Sequence, residues 1–469
     1  MAAPPRGDSI RVLSTDRVAP SSTAGGTPLP ERAVPLTFLD AIWLQSPPVE
    51  RVFFYRLCGA PFAGDADAVL STLVDSLSRV LHVFHPLAGR LRLTPGKTNR
   101  YEIFYQPGDG VAFTVAEHDG VGVGELVTDD PRELAKIAPL VPNLPEGGAL
   151  LAVQATVLLP ARRGLALGVT VHHAACDGSS STHFLHTWAA ACAGAAVPLP
   201  PPVVDRTLIR EREDFYDLTT RTDDHLKKFY SPDLLVDKLL TTFTLSRDNL
   251  QSIKHRVAGV SARRGLPPPR CTSIVATFAV IWQCHIRAAA LGDEAEPGNG
   301  GRAHFIFLTD HRARMQPRVP EKYLGNCVGP CFASAPKKEI APTGADGLFT
   351  ACSVIAAAID EAMRCEPDYW DRCMEHGKEL STIDGAPFSV AGSPRFRVYD
   401  VDFGFGRPTK VEIVSVGKTG AMSVAEGRGG SGGIEVGIAL PPERMERFRR
   451  CFSDAVAWLS SSSSSSRDE

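Results

Sequence analysis

Leu165 to Gly178 reads Leu-Ala-Leu-Gly-Val-Thr-Val-His-His-Ala-Ala-Cys-Asp-Gly. Its first half is apolar, with Leu165, Leu167, Val169 and Val171 in the pattern of a buried strand. Asp177-Gly178 is a turn signal. The stretch predicts a strand that delivers His172 and His173 to its end, with Asp177 four positions after His173. A rigid scaffold can aim a histidine placed there. An unperturbed imidazole has a pKa of about 6.5, so much of it is neutral near pH 7 and accepts a proton. The same residues also fit a satisfied core histidine beside a solvated aspartate, so the motif needs company before it carries a function.

At 469 residues the chain exceeds one ordinary core, and two domains are expected. Hydrophobic content of 43% and charged content of 22% belong to a globular protein. A net charge of −3 and a pI near 6.5 argue against a nucleic-acid partner held by a basic surface. Met1 to Val34 has no apolar core of a secretory signal. The most apolar run, Ile274 to Ala290, is interrupted by Gln283, His285 and Arg287. The expectation is a soluble cytosolic protein without a membrane partner. Eleven cysteines are scattered, and the closest pair, Cys327 and Cys331, has no companion pair at metal-type spacing. Reduced, mostly buried thiols and no metal site are expected.

Residues 1–33 read as a flexible N-terminus, with order starting near Val34. Phe53 to Leu57 reads as a strand and Ala66 to Leu81 as an amphipathic helix. His85 to Leu91 turns into a strand pair running through Tyr101 to Tyr105, and Ser180 to Cys192 reads as a helix stopped by Gly194. Pro198, Pro200, Pro201 and Pro202, followed by the charged segment Arg206 to Asp214, predict an exposed crossover over 198–230. The second half restarts with a strand at Leu239 to Leu245 and a helix at Ser246 to Val257. Thr272 or Ser273 is placed to cap a helix over Ile274 to Ala290. Gly292 to Gly301 reads as a surface loop, and the serine tail over 460–469 as disordered. Gly427 to Gly433 resembles a phosphate loop but lacks its Lys-Ser/Thr ending and reads as a hairpin turn. The layout expected is one domain over 34–197, the crossover, and a second over 231–459. Both halves share a coarse order of strands and helices.

Far downstream, Asp402-Phe403-Gly404-Phe405-Gly406 alternates aromatics with glycines. Alone it reads as a tight turn. Together with His173-x-x-x-Asp177 it resembles the plant BAHD acyltransferase family, which is marked by His-x-x-x-Asp near mid-chain and Asp-Phe-Gly-Trp-Gly near the end. Phe84-His85-Pro86-Leu87-Ala88-Gly89-Arg90, Asp310-His311-Arg312-Ala313-Arg314-Met315 and Gly432-Gly433-Ile434-Glu435-Val436-Gly437 look like the same family. Tyr323-Leu324-Gly325-Asn326-Cys327 is similar to the Tyr-Phe-Gly-Asn-Cys motif of the anthocyanin and phenolic-glucoside malonyltransferase branch. The resemblance runs from about Val34 to about Leu459. Phe405 stands where the family has Trp, and Leu324 where the branch has Phe.

The resemblance implies an α/β fold of two similar, chloramphenicol acetyltransferase-like domains with mixed sheets, and a site in a channel between them. It implies direct acyl transfer from an acyl-CoA co-substrate, malonyl-CoA in this branch, to a hydroxyl of a glycosylated phenolic or flavonoid, by a monomer with no tightly bound cofactor. His173 is then the general base, and Asp177 and Asp402 complete the catalytic candidates. Asp177 is expected to pair with Arg312, while the loop of Asp402, with Gly404 and Gly406, has a structural role. His172 becomes a structural or polar lining residue, and a nucleophilic Cys176–His173 pair is the competing chemistry. Lys254, Thr272, Ser273, Ser389 and Arg395 are the candidate CoA contacts, the threonine and serine because a helix start favours anions. Competing readings are the same fold using an aromatic or other aliphatic acyl-CoA, a condensation domain sharing His-His-x-x-x-Asp-Gly, and an inactive CoA-binding relative.

Overall fold

The apolar run at Leu165 forms a strand, Gly164–Val171, with every residue buried. The structure is a computed structural model that describes residues 10–21, 29–57, 65–158, 164–195, 199–219, 235, 237–292, 301–382 and 387–461. The chain divides into two units. Unit 1 comprises Met1–Val236, Met315–Cys327 and Arg395–Thr419; unit 2 comprises Asp237–Arg314, Val328–Pro394 and Gly420–Glu469.

Unit 1 is built on a mixed sheet. Its strands are β1 (Ile10–Val18), β2 (Val49–Arg56), β3 (Val111–His118), β4 (Leu151–Leu158), β5 (Gly164–Val171) and the strand Lys410–Ile413. They lie in the order β1-β3-β4-β5-β2-(Lys410–Ile413), with β3 and β4 parallel and all other neighbours antiparallel. Both β4 and β5 are buried along their whole length, which explains their near-continuous apolar sequence. Helix α1 (Ala66–Val83) opens where the Asp65 carboxylate accepts the Ala68 N–H at 2.9 Å, and it buries Val69, Leu73, Leu77 and Val80. It packs against α2 (Gly178–Cys192). The expected strand pair also forms, with Arg90–Leu93 antiparallel to Tyr101–Tyr105.

Unit 2 is α/β as well. Its strands are β6 (Leu239–Leu245), β7 (Arg302–Asp310), β8 (Val328–Pro336), β9 (Phe388–Gly392), β10 (Met422–Glu426) and β11 (Ile434–Leu440). They run β8-β7-β9-β10-β11-β6, with β7, β9 and β10 parallel and the rest antiparallel. Ser246 caps α3 (Arg247–Arg264) in a capping box with Asn249, and Gly265 ends it at φ 63°. Thr272 is the cap of α4 (Ser273–Ala290). This helix is strongly apolar, and Phe278 and Trp282 bury it against Phe305 of β7. Helices α5 (Ala345–Arg364) and α6 (Pro442–Ser460) complete that layer. Gly427 to Gly433 is the turn between β10 and β11, as its glycines suggest.

Three expectations need correction. Part of the N-terminus is not loose: Ile10–Val18 pairs with β3 over its length. Its mostly exposed sequence suits a sheet edge, and it lacks the apolar run by which inner strands announce themselves. The first part of the crossover is not an exposed tether either. Phe215 and Tyr216 are buried, Tyr216 donates to the Leu36 carbonyl at 3.1 Å, and Val203 bridges to Tyr323. The rest of the crossover, 220–230, lies outside the described residues, as does 462–469 of the serine tail. Finally, the units are not consecutive in sequence. Met315–Cys327 and Arg395–Thr419 return to unit 1, carrying the Tyr-Leu-Gly-Asn-Cys and Asp-Phe-Gly-Phe-Gly segments with them.

Candidate active site

Val171 ends β5, and His172 hydrogen-bonds through its backbone to Leu150 beside β4, N to O 2.8 Å. The chain then makes one tight turn, His173–Ala175, before α2 begins at Gly178. His172 serves that turn: its Nδ1 accepts the Ala174 N–H at 3.2 Å. Burial, with the neighbouring His173 adding to it, pushes the His172 imidazole down to about 4. A side chain so engaged fits a structural role. Cys176 is buried, and the ten described cysteines outside the turn and within it make no disulfide.

His173 is half-buried and held from two sides. Its imidazole lies flat on the indole of Trp43, with ring centroids 3.9 Å apart and planes 16° from parallel. Its backbone carbonyl accepts the side-chain amide of Asn326 at 3.0 Å. Burial lowers its pKa below 6.5, opposed by its own backbone carbonyl, Asp177, Asn326 and Asp40. The ring is thus neutral at pH 7, the form a base requires.

Asn326 is fixed by Asp40, whose carboxylate is wholly buried. That carboxylate accepts the Asn326 N–H at 2.8 Å, the Asn326 side-chain amide at 3.0 Å, and the Thr37 N–H and hydroxyl at 3.0 and 2.8 Å. Arg206, from the crossover, lies 3.9 Å from Asp40 and donates to the Leu324 carbonyl. Asp40 is also bonded to Trp43 through its backbone, Trp43 N to Asp40 O 3.1 Å. One short segment, Thr37 to Trp43, therefore holds both the ring and the carbonyl of His173. Neither Trp43, Asp40, Asn326 nor Arg206 was among the sequence-based candidates. Thr37-x-x-Asp40 is a capping-box pattern and was the one local signal present.

Asp177 builds the turn from the other end. Its carboxylate caps α2 by accepting the Ser180 N–H at 2.9 Å, and it accepts the Cys327 N–H at 3.0 Å. Ser180 donates to the Tyr323 carbonyl at 2.7 Å. The motif's aspartate thus joins the start of α2 to the Tyr323–Cys327 segment. Arg312 lies in unit 2, where its N–H donates to Asp310 at 2.9 Å and its guanidinium sits 3.4 Å from the same carboxylate.

Asp402, a catalytic candidate in a loop expected to be structural, hydrogen-bonds within that loop. One carboxylate oxygen accepts the N–H of Gly404 at 2.8 Å and of Gly406 at 3.0 Å. Both glycines have positive φ, 96° and 107°, a region side-chain-bearing residues rarely adopt. Phe403 is fully buried edge-on to Trp188 of α2 at 4.8 Å, and Phe405 meets Tyr55 of β2 at 5.0 Å. The loop clamps the helix that follows His173 to the strand beside it. Phe405, standing in the family's Trp place, makes the Tyr55 half of that clamp.

The candidate CoA contacts divide by unit. Lys254 donates to the Ser273 hydroxyl at 2.9 Å, and the Thr272 hydroxyl caps α4 by accepting the Val275 N–H at 3.3 Å. A cavity of about 190 Å³ beside them is lined by Arg247, Ser273 and the Gly430-Ser431-Gly432 turn. The turn is a hairpin in sequence, and the fold brings it to the same cavity as the start of α4. Ser389 lies on β9 in unit 2, whereas Arg395 belongs to unit 1. A larger cavity in unit 1, about 510 Å³, is lined by the mutually paired Arg90 and Asp109 and does not include His173.

A family model described as the Transferase family matches residues 9–455. The chain belongs to the BAHD acyltransferase family. As a BAHD member it is an acyltransferase. This BAHD chain is similar to phenolic glucoside malonyltransferase 1 of Arabidopsis thaliana, 32% identical over 469 residues, or 93% of this chain and 96% of that relative. It is also similar to agmatine coumaroyltransferase of the same plant, 29% identical over 467 residues, 95% and 98% of the two chains. Among solved structures, vinorine synthase matches with a TM-score of 0.67 at 19% identity, covering 94% of this chain and 96% of that one. That likeness is one of fold, and it agrees with the mixed-sheet α/β architecture of both units.

Proposed function

We propose that this BAHD acyltransferase moves a malonyl group from malonyl-CoA to a sugar hydroxyl of a phenolic or flavonoid glucoside, with His173 as general base. The observation that carries the reaction is the held, neutral imidazole of His173. His173 takes the proton of the acceptor hydroxyl as that oxygen attacks the thioester carbonyl. The C–O bond forms, the tetrahedral intermediate collapses, and the C–S bond breaks. The CoA thiolate leaves, and the proton held by the imidazolium passes to it. Cys176 takes no part in this scheme, so no acyl-enzyme forms.

Lys254, Thr272 and Ser273 cluster at the start of α4, where helix N–H groups and two nearby cations, Lys254 and Arg247, suit the phosphates of CoA. The pairing of Asp177 with Arg312 belongs to the same proposal. The malonyl donor and glucoside acceptor rest on the relative named for them and on the Tyr-Leu-Gly-Asn-Cys segment. The coumaroyltransferase relative supports an aromatic donor as the second reading. Competition among malonyl-, acetyl- and coumaroyl-CoA on a panel of phenolic glucosides, read by product mass, separates the two. The malonyl ester is expected to dominate. A higher kcat/KM with coumaroyl- or acetyl-CoA would replace the malonyl reading.

A further inference from the structure

A base must present its ring nitrogen in one direction, and something has to fix the plane of the ring. In a Ser-His-Asp arrangement a carboxylate does this by accepting the second ring N–H. His173 is not held that way: its Nδ1 is buried and makes no hydrogen bond of good geometry with the described residues. Asp177 turns its carboxylate to the N–H groups of Ser180 and Cys327. The Asn326 amide donates to the backbone carbonyl of His173 and lies close enough to act on the imidazole as well, but it does not cover the face of the ring. Among the described residues, the contact that lies flat on the ring and so sets its plane is the face of Trp43, 3.9 Å away and 16° from parallel.

Trp43 is itself placed for that contact. Asp40 anchors its backbone, and the same Asp40 carboxylate anchors Asn326, so ring and carbonyl of His173 are referenced to one point. The indole N–H of Trp43 is buried with no acceptor among the described residues, which costs free energy at this position.

We infer that Trp43 is a positioning residue for His173: its indole face fixes the plane of the imidazole and favours the imidazolium formed when the acceptor proton is taken. An aromatic face attracts a cation placed over it, so the stack strengthens as charge develops on the ring. The inference rests on His173 acting as the base.

The test uses the full chain with Trp43→Met, which fills space without a ring, and Trp43→Phe, which keeps a face. Trp43→Met is expected to lower kcat about tenfold or more, with both KM values within about twofold, since alignment and charge stabilisation act on the chemical step. Trp43→Phe is expected to recover most of that loss. In a His173→Ala background, Trp43→Met is expected to cause no further loss, because its effect runs through the histidine. Unchanged kcat in Trp43→Met, a loss confined to KM, equal defects in the Met and Phe variants, or full additivity with His173→Ala would each overturn the inference. If Trp43→Met melts below assay temperature, the Phe variant decides through its kcat in the two histidine backgrounds. Wild-type turnover by His173→Ala alone removes the base reading, and this inference with it, by a separate result.

Discussion

The strands β5 and β11 hold the same place in two like-ordered sheets and leave them differently. In unit 1, β3 lies parallel to β4, which forms a hairpin with β5, which pairs with the unit's strand β2. In unit 2, β9 lies parallel to β10, which forms a hairpin with β11, which pairs with β6. Each hairpin leads into a helix that packs on an earlier one, α2 on α1 and α6 on α3. After β11 the link is the single residue Pro441, and Pro442 opens α6 at once. After β5 the link is His172 to Asp177, six residues for one. The shared order shows what the fold needs between strand and helix: almost nothing. The five extra residues in unit 1 are built for something else, and they include the His-x-x-x-Asp motif.

If the longer link is a device, its parts should divide into support and chemistry. Beyond His173 itself, the largest loss is expected from Asp177→Ala. That change strips the cap of α2 and leaves the buried Cys327 N–H without its carboxylate. The expected cost is about 2–4 kcal/mol of stability together with lost turnover. Thermal melts and assays run side by side check it. If melting is unmoved, Asp177 is not the strut of the link. Arg312→Ala combined with Asp177→Ala should cost less than the sum of the two, if they pair as proposed.

A smaller effect, common to both units, separates burial from function. Burial holds His85, His172 and His183 of unit 1 at about 4, and His285 and His311 of unit 2 at about 3 and 4. Their folded pKa values lie below the unfolded 6.5, so the unfolded chain binds more protons as pH falls through that window. Stability should therefore drop from pH 6.5 downward. Melting temperature followed from pH 7 to 5, where carboxylates stay ionised, should fall steadily. A flat or rising profile would show that these histidines are open to water. Depressed histidines occur in both units, so a low pKa alone does not mark the site.

The sequence signals that held were local or repeated along one element. The apolar run before His172 made β5 legible, Thr272 marked the start of α4, and paired glycines marked the Asp402 loop. What escaped was long-range. Asn326 reaches Asp40 across 286 positions, and no periodicity encodes that meeting. Arg206 looked like surface charge because its partners at Asp40 and Leu324 lie far away in the chain. The unit boundaries escaped for the same reason: the returns at Met315 and Arg395 follow no break in composition. Trp43 reads as one more apolar residue until His173 is seen stacked on it.

The central claim is that His173 is the base rather than one more buried histidine. The most direct measurement is turnover of His173→Ala beside calorimetric binding of CoA to the same preparation. The account predicts a fall in kcat of about 10²- to 10⁴-fold, with CoA affinity and melting temperature close to wild type. Wild-type turnover in the variant would contradict it, and so would a loss explained wholly by failure to bind CoA or to fold.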